Sequence, residues 1–301
     1  MLQNQKGIYD SMRYIKTALN KKIRGAIQLF RPELSFAAGI SVITGELIAL
    51  GSFPSIQNLF YGFFCGFFIS SSALILNDYF DLEVDKINAP NRPLPSGIIT
   101  QPEVIALTII ATFLGLVASA AISIYALIIS IILWIIGVLY NWKLKETGLP
   151  GNIMVSLSVA ATFFLGGIIV REPWNKVILT FSAMAFFIDL GEEIAADAME
   201  IDGDKKRNSK SIAIKMGRKV ALNISGILFF IVILISLIPI CFNWLGISYI
   251  LMILISDIII FLSVLKLLRS QTSKEGHFCI KQIYRGALLG LLAFIVSKLF
   301  F

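Results

Sequence analysis

Three oxygen-bearing side chains, Asn77, Asp81 and Asp85, recur at intervals of four in NDYFDLEVD. At about 100° per residue each step drifts by only ~40°, so on a helix they share one face. Carboxylates on one stripe repel each other unless something positive lies between them. A hard cation answers that need. Mg²⁺ takes oxygen ligands and usually keeps substrate phosphates in its shell. A second stretch, DLGEEIAADAMEIDGD, carries Asp189, Glu193, Asp197, Glu200 and Asp204. Their spacing keeps them within about 80° of a helical wheel. Taken alone, the first stripe also reads as a solvated helix end. The second shifts the balance, because Asp189 and Glu193 fall inside an apolar run where an ionisable group is costly and marks function. Two such stripes facing each other would clamp a diphosphate through two metal ions.

Cations accompany both stripes. YNWKLKETG supplies Tyr140, Lys143 and Lys145, and NRPLPSG supplies Arg92. DKKRNSKS supplies Lys205, Lys206, Arg207 and Lys210. Cations beside a carboxylate–metal site suit phosphate oxygens, although each could equally be a charge that sets membrane topology. Lys145 and Arg92 are the stronger candidates, because each belongs to a short patterned loop. Pro90, Pro93 and Pro95 stiffen the loop after the first stripe, and Gly97 closes it. Other chemistries are excluded by inventory. His277 is the only histidine, so a His-based triad or multi-His zinc site cannot form. Cys65, Cys241 and Cys279 lack metal spacing and make no disulfide framework. His277 and Cys279 are expected in the last polar loop. There is no Walker-type phosphate loop.

The elements that must carry these residues are membrane helices. Of 301 residues 57% are hydrophobic and 15% charged, against about 45–50% and about 25% in soluble domains. The apolar excess recurs in runs long enough to cross a ~30 Å hydrocarbon core. Shorter alternating segments would mark a β-barrel instead. The expected spans are 33–50, 57–76, 104–120, 123–140, 151–170, 177–196, 221–241, 245–265 and 285–301. Only SAAIS marks a turn between the third and fourth. This is an all-α polytopic membrane protein with nine transmembrane helices over residues 31–301. Residues 1–30 read as an amphipathic cytoplasmic segment on the membrane surface, without the apolar core of a signal peptide.

With the N-terminus in the cytoplasm, nine crossings leave only Arg171, Lys176 and Lys298 of the 26 Lys and Arg outside, as the positive-inside rule requires. The C-terminus is then outside, and both acidic stripes end on the cytoplasmic face. The net charge of +7 reports on topology and anionic headgroups of the lipid bilayer. No aromatic–basic interleaving points to nucleic acid.

NDYFDLEVD resembles the NxxxDxxxD motif of the UbiA-type intramembrane prenyltransferases, and DKINAPNRPLPSG resembles the loop that follows it. DAMEIDGDKKRNSKSIAIKMG is similar to their second aspartate motif, YNWKLK to the Tyr/Lys motif of their fourth helix, and RPELSF to the start of their first. The resemblance spans about residues 20–300. It implies a central cavity under a cytoplasmic cap. It also implies that Asn77, Asp81 and Asp85 hold Mg²⁺ on one side of a diphosphate, with Asp197, Asp204 and Glu200 on the other. Lys145, Tyr140 and Arg92 would bind or polarise phosphate oxygens. Glu200 stands where many members carry Asp, and either can bind a metal.

The implied reaction is loss of diphosphate from an allylic chain, leaving a delocalised cation. A dry, aromatic-lined cavity would shield that cation from water, and the 23 Phe could line it. Within the superfamily the first motif looks most like members that use geranylgeranyl diphosphate to alkylate the free hydroxyl of geranylgeranylglyceryl phosphate in archaeal ether-lipid synthesis. Arg92, Lys143 and the Lys205–Lys210 cluster are all open as the acceptor-phosphate site. An aromatic acceptor, a quinone or chlorophyll precursor, would use the same metal site. An ion-coupled transporter would instead show helices broken at mid-membrane and an inverted repeat.

Overall fold

The structure, a computed structural model, describes residues 16, 17, 19–201 and 209–300. Every regular element among them is helical. α1 covers residues 19–29. It is followed by α2 (Pro32–Leu50), α3 (Ile56–Phe80), α4 (Leu82–Asn88), α5 (Gln101–Ile122) and α6 (Ile124–Trp142). A 3₁₀ turn, Leu144–Thr147, leads to α7 (Leu149–Ile169) and α8 (Lys176–Met199). Then come α9 (Ile212–Met216), α10 (Arg218–Ser236), α11 (Ile238–Cys241), α12 (Ile247–Arg269) and α13 (Ser273–Phe300).

Eight helices are long and apolar enough to cross a membrane: α2, α3, α5, α6, α7, the α10–α11 pair, α12 and α13. α8 has 24 residues, about 36 Å at 1.5 Å per residue. It is long enough to cross but carries Asp189, Glu192, Glu193 and Asp197. The sequence expectation of nine crossings therefore turns on α8, the helix that carries the second acidic stripe. It packs on α7, α10 and α13 rather than standing apart.

Local chemistry explains where the helices stop. The turn expected in SAAIS is one residue, Ser123, with extended backbone (φ −168°) and a hydroxyl that accepts the Ala126 N–H at 3.1 Å. α10 breaks before Pro239, which has no N–H to continue the ladder. The last helix begins twelve residues earlier than the expected 285, at Ser273. Thr272 Oγ1 accepts the Glu275 N–H, and the Glu275 carboxylate accepts the Gln271 N–H, as in a capping box. Cys279, Ile280 and Ile283 bury one face of that added stretch, so its charges can lie on the other. His277 and Cys279 are therefore helical residues, not members of a loop.

α2 and α7 cross at backbone contact. A Cβ on Gly45 would lie 2.1 Å from the Phe163 carbonyl oxygen, and one on Gly166 2.4 Å from that of Val42. This crossing draws α2, α3, α6, α7 and α8 around one central space. α1 packs Leu29 into a cluster with Ile75, Leu94 and Ile99, and Lys22 pairs with Glu103 at 2.5 Å. Its other face exposes Leu19, Ile23 and Ile27 in a single i, i+4, i+8 stripe.

Candidate active site

α3 ends at Phe80, and α4 restarts at Leu82. The helical register nevertheless runs through the joint. Asp81 N–H donates to the Asn77 carbonyl at 2.9 Å, Asp85 N–H to that of Asp81 at 2.8 Å, and Ala89 N–H to that of Asp85 at 2.8 Å. The spacing by four thus survives a change of element, and Asn77, Asp81 and Asp85 keep one face.

Asp78, Asp81 and Asp85 are 3%, 7% and 4% exposed. Carboxylates so buried need partners, and each has a cation. Lys145 Nζ donates to Asp81 Oδ1. Arg92 Nη1 donates to Asp85 Oδ2 at 2.6 Å and lies 3.8 Å from Asp78 Oδ1. Arg31 Nη2 donates to Asp78 Oδ1 at 2.5 Å. The Arg31–Asp78 pair was not anticipated as part of the site. The available signal was the Arg at the start of RPELSF, one residue before the first span. Arg31 holds a left-handed backbone (φ 42°), which for a non-glycine costs of order 1 kcal/mol and is retained beside a buried aspartate.

Lys145 owes its place to the 3₁₀ turn. Gly148 (φ 75°) follows that turn, and a Cβ there would meet the Lys210 carbonyl oxygen at 2.3 Å. The Lys210 N–H in turn donates to the Glu146 carbonyl at 2.9 Å. Lys210 contributes its backbone here, and its side chain is exposed.

The two stripes meet beside Tyr140. Its hydroxyl lies within electrostatic reach of Glu193, Asp197, Asp189 and Asp81. Asn152 Nδ2 donates to Asp197 Oδ2 at 2.9 Å. Below this point a cavity of about 500 Å³ opens between α2, α3, α6, α7 and α8. Arg31, Asn77, Tyr140, Asp189 and Glu193 form its polar wall, and Val42, Ile69, Leu133, Val159 and Leu165 are among its apolar lining. Tyr140 is the single aromatic among its described lining residues. The expected Phe-lined cavity is therefore corrected. The long phenylalanine run of α3 packs along its own helix instead, edge to face in Phe60–Phe64 and stacked in Phe64–Phe68.

Other expected site residues stand elsewhere. Glu200 is not carried to the cavity, because α8 ends at Met199 and Glu200 is its exposed C-cap, 3.9 Å from His277. Lys143 is the exposed C-cap of α6. Asp204, Lys205, Lys206 and Arg207 lie outside the described residues. Among the described residues no group of three or more His, Cys, Asp or Glu is gathered to hold a metal. The donor chemistry still fits Mg²⁺. Asn77, Asp81, Asp85 and Asp197 offer only hard oxygens, and the Asp81 and Asp85 carboxylates already neutralise cations, Lys145 and Arg92.

A model of the UbiA prenyltransferase family matches residues 38–282. The digeranylgeranylglyceryl phosphate synthase of Pyrococcus furiosus is 32% identical over 277 residues, 92% of this chain and 99% of that protein. A solved structure of a digeranylgeranylglyceryl phosphate synthase superposes with a TM-score of 0.80 at 31% identity, covering 92% of this chain and 99% of that one. A UbiA homolog from Archaeoglobus fulgidus bound to GPP and Mg²⁺ shares the fold, with a TM-score of 0.67 at 18% identity over 91% of this chain and 99% of that one.

Proposed function

The chain belongs to the UbiA prenyltransferase family, and on that premise we propose that it transfers a geranylgeranyl group from geranylgeranyl diphosphate to the free hydroxyl of geranylgeranylglyceryl phosphate, with Mg²⁺ as cofactor. The product carries the second ether bond of an archaeal membrane lipid. The observation that carries this reading is the convergence of two carboxylate stripes, three of whose neighbouring buried aspartates are paired with cations, at the head of one apolar cavity. The transporter alternative is not favoured, because α3 and α8 each run unbroken for more than twenty residues.

The ion pairs suit a diphosphate-binding role. Lys145, Arg92 and Arg31 are held neutralised by Asp81, Asp85 and Asp78 until an anionic substrate arrives. Phosphate oxygens then compete for the same donors, and guanidinium groups meet them in bidentate fashion. Bound Mg²⁺ would neutralise the charge that gathers on the leaving diphosphate. Asn77, Asp81 and Asp85 would hold it on one side and Asp197 with Asp204 on the other. Tyr140 lines the cavity with Asn77, Asp189 and Glu193, and its ring would face the allylic cation. The aliphatic walls below keep water from that cation. The acceptor brings its own phosphate, for which Arg92, Lys143 and Lys210 are the described candidates.

A membrane assay with labelled geranylgeranyl diphosphate and Mg²⁺ tests the reading, with geranylgeranylglyceryl phosphate and 4-hydroxybenzoate offered in parallel. An ether product from the glyceryl phosphate is expected. Product from the aromatic alone would move the chain to another branch of the family.

This reading takes α8 as the ninth crossing, with the N-terminus and the ion-pair cluster on the cytoplasmic side and the C-terminus outside. α1 then rests on the cytoplasmic surface of the membrane, dipping its Leu19, Ile23 and Ile27 stripe into the interface. Cys241, exposed at the end of α11, falls outside. A membrane-impermeant maleimide should label it in right-side-out vesicles, and labelling only in inverted vesicles would reverse the orientation.

A further inference from the structure

Cys65 lies on α3, twelve residues before Asn77, which is about 18 Å along the helix. Its Sγ is 3.1 Å from Ser119 Oγ and 3.2 Å from Ser130 Oγ, and Ser119 Oγ, which also donates to the Gly115 carbonyl at 2.7 Å, lies 2.8 Å from Ser130 Oγ. This triangle ties α3, α5 and α6 together, and all three residues are fully buried. Cys65 and Ser130 nevertheless belong to the wall of the reaction cavity. Beyond them lies a separate groove of about 1030 Å³ that opens beside Trp174 and Arg171. The partition between the two spaces is thin. Ser130 faces the cavity and its neighbour Ile129 the groove, while Leu165 and Ile169, one turn apart, do the same on α7.

We propose that the Cys65–Ser119–Ser130 triangle is the floor of the prenyl cavity and sets the longest chain that the protein accepts. The inference rests on the proposed transfer reaction, which fixes the diphosphate at the Asn77–Lys145 end. A chain anchored there must run toward Cys65. The floor is polar yet self-satisfied, since each thiol or hydroxyl is paired within the triangle, so it offers no free donor to draw in water. Cys and Ser are also short, which leaves the cavity deeper than Leu or Phe would. Added bulk at Cys65 cannot move sideways into buried Ser119 and Ser130 in a close-packed interior. It must rise into the cavity.

The test begins with the unmodified chain and a small methanethiosulfonate reagent, following the mass of the Cys65 peptide over time. Geranylgeranyl diphosphate should slow labelling of Cys65 at least about tenfold, and geranyl diphosphate, half its length, should leave the rate nearly unchanged. Equal protection by both, or protection by neither, would overturn the floor, and where the buried thiol does not label the Cys65→Phe comparison decides it. Turnover of geranylgeranyl diphosphate in the same preparation reports separately on the transfer reaction. Graded protection without any turnover would support the floor and count against the reaction alone. In Cys65→Phe, the kcat/KM ratio of farnesyl over geranylgeranyl diphosphate should rise at least about tenfold, since a single misfitted methylene in an apolar pocket already shifts discrimination by that much. An unchanged ratio in folded protein would overturn the proposal. If Cys65→Phe does not fold, Cys65→Leu carries the same comparison.

Discussion

Asp81→Asn is expected to lower turnover by about 10³-fold or more with the helices intact. Loss of a single preorganised electrostatic group typically costs 10²–10³, and Asp81 serves twice. It supplies a hard oxygen at the centre of the first stripe, and it holds Lys145 in place. Asparagine preserves the size of the side chain and the backbone bond to Asn77 that joins α3 to α4. It removes the charge, leaving the Lys145 ammonium, with a side chain only 16% exposed, without its partner. Lys145→Ala should cost less, about 10–10²-fold, and should appear mainly in the KM for the prenyl diphosphate. The stripe and its other ion pairs survive in that variant. Steady-state kinetics on both variants, alongside thermal melting in detergent, gives the comparison. A folded Asp81→Asn chain with near wild-type rates would remove Asp81 from the clamp.

Chelation of divalent cations should bring turnover to background and also weaken binding of geranylgeranyl diphosphate, with Mg²⁺ restoring both. The charge inventory at the cavity head requires this. Arg31, Arg92 and Lys145 are matched one for one by Asp78, Asp85 and Asp81. The Asp197 carboxylate of the second stripe, which accepts from Asn152, adds to the negative side. A diphosphate entering that field meets repulsion unless further positive charge comes with it. Ca²⁺ should restore activity poorly, because it prefers longer bonds and more ligands than the octahedral Mg²⁺ shell. Calorimetric titration of the diphosphate with and without Mg²⁺ measures the binding arm independently of catalysis. Undiminished binding and turnover in metal-free buffer would falsify the metal clamp.

Much of this arrangement is legible in the sequence, because its causes are local. The i, i+4, i+8 placement of Asn77, Asp81 and Asp85 follows from the pitch of a helix, and it persists through the α3–α4 joint. The apolar runs gave most of the helices within a few residues of their ends. Where they failed, as at Ser273, the helix continued past the apolar run on a capping residue and one buried face. Spacing could not tell that α8 stops at Met199, which turns Glu200 outward while Asp197 faces Asn152.

Other features were decided only by the tertiary structure. Arg31 and Asp78 are 47 positions apart, and their pairing depends on how α2 leans against α3. Phenylalanine count did not predict the cavity lining, because composition carries no direction. The rings of α3 turn to each other, and the cavity is left to Val, Leu, Ile and small residues. The sequence by itself determined the membrane helices, the two carboxylate stripes and the family resemblance, since each is written in the period of a single helix. Which cation neutralises which aspartate, how deep the cavity runs and what closes it were decided by helix crossings such as Gly45 on Gly166. Those contacts join residues that no local period relates.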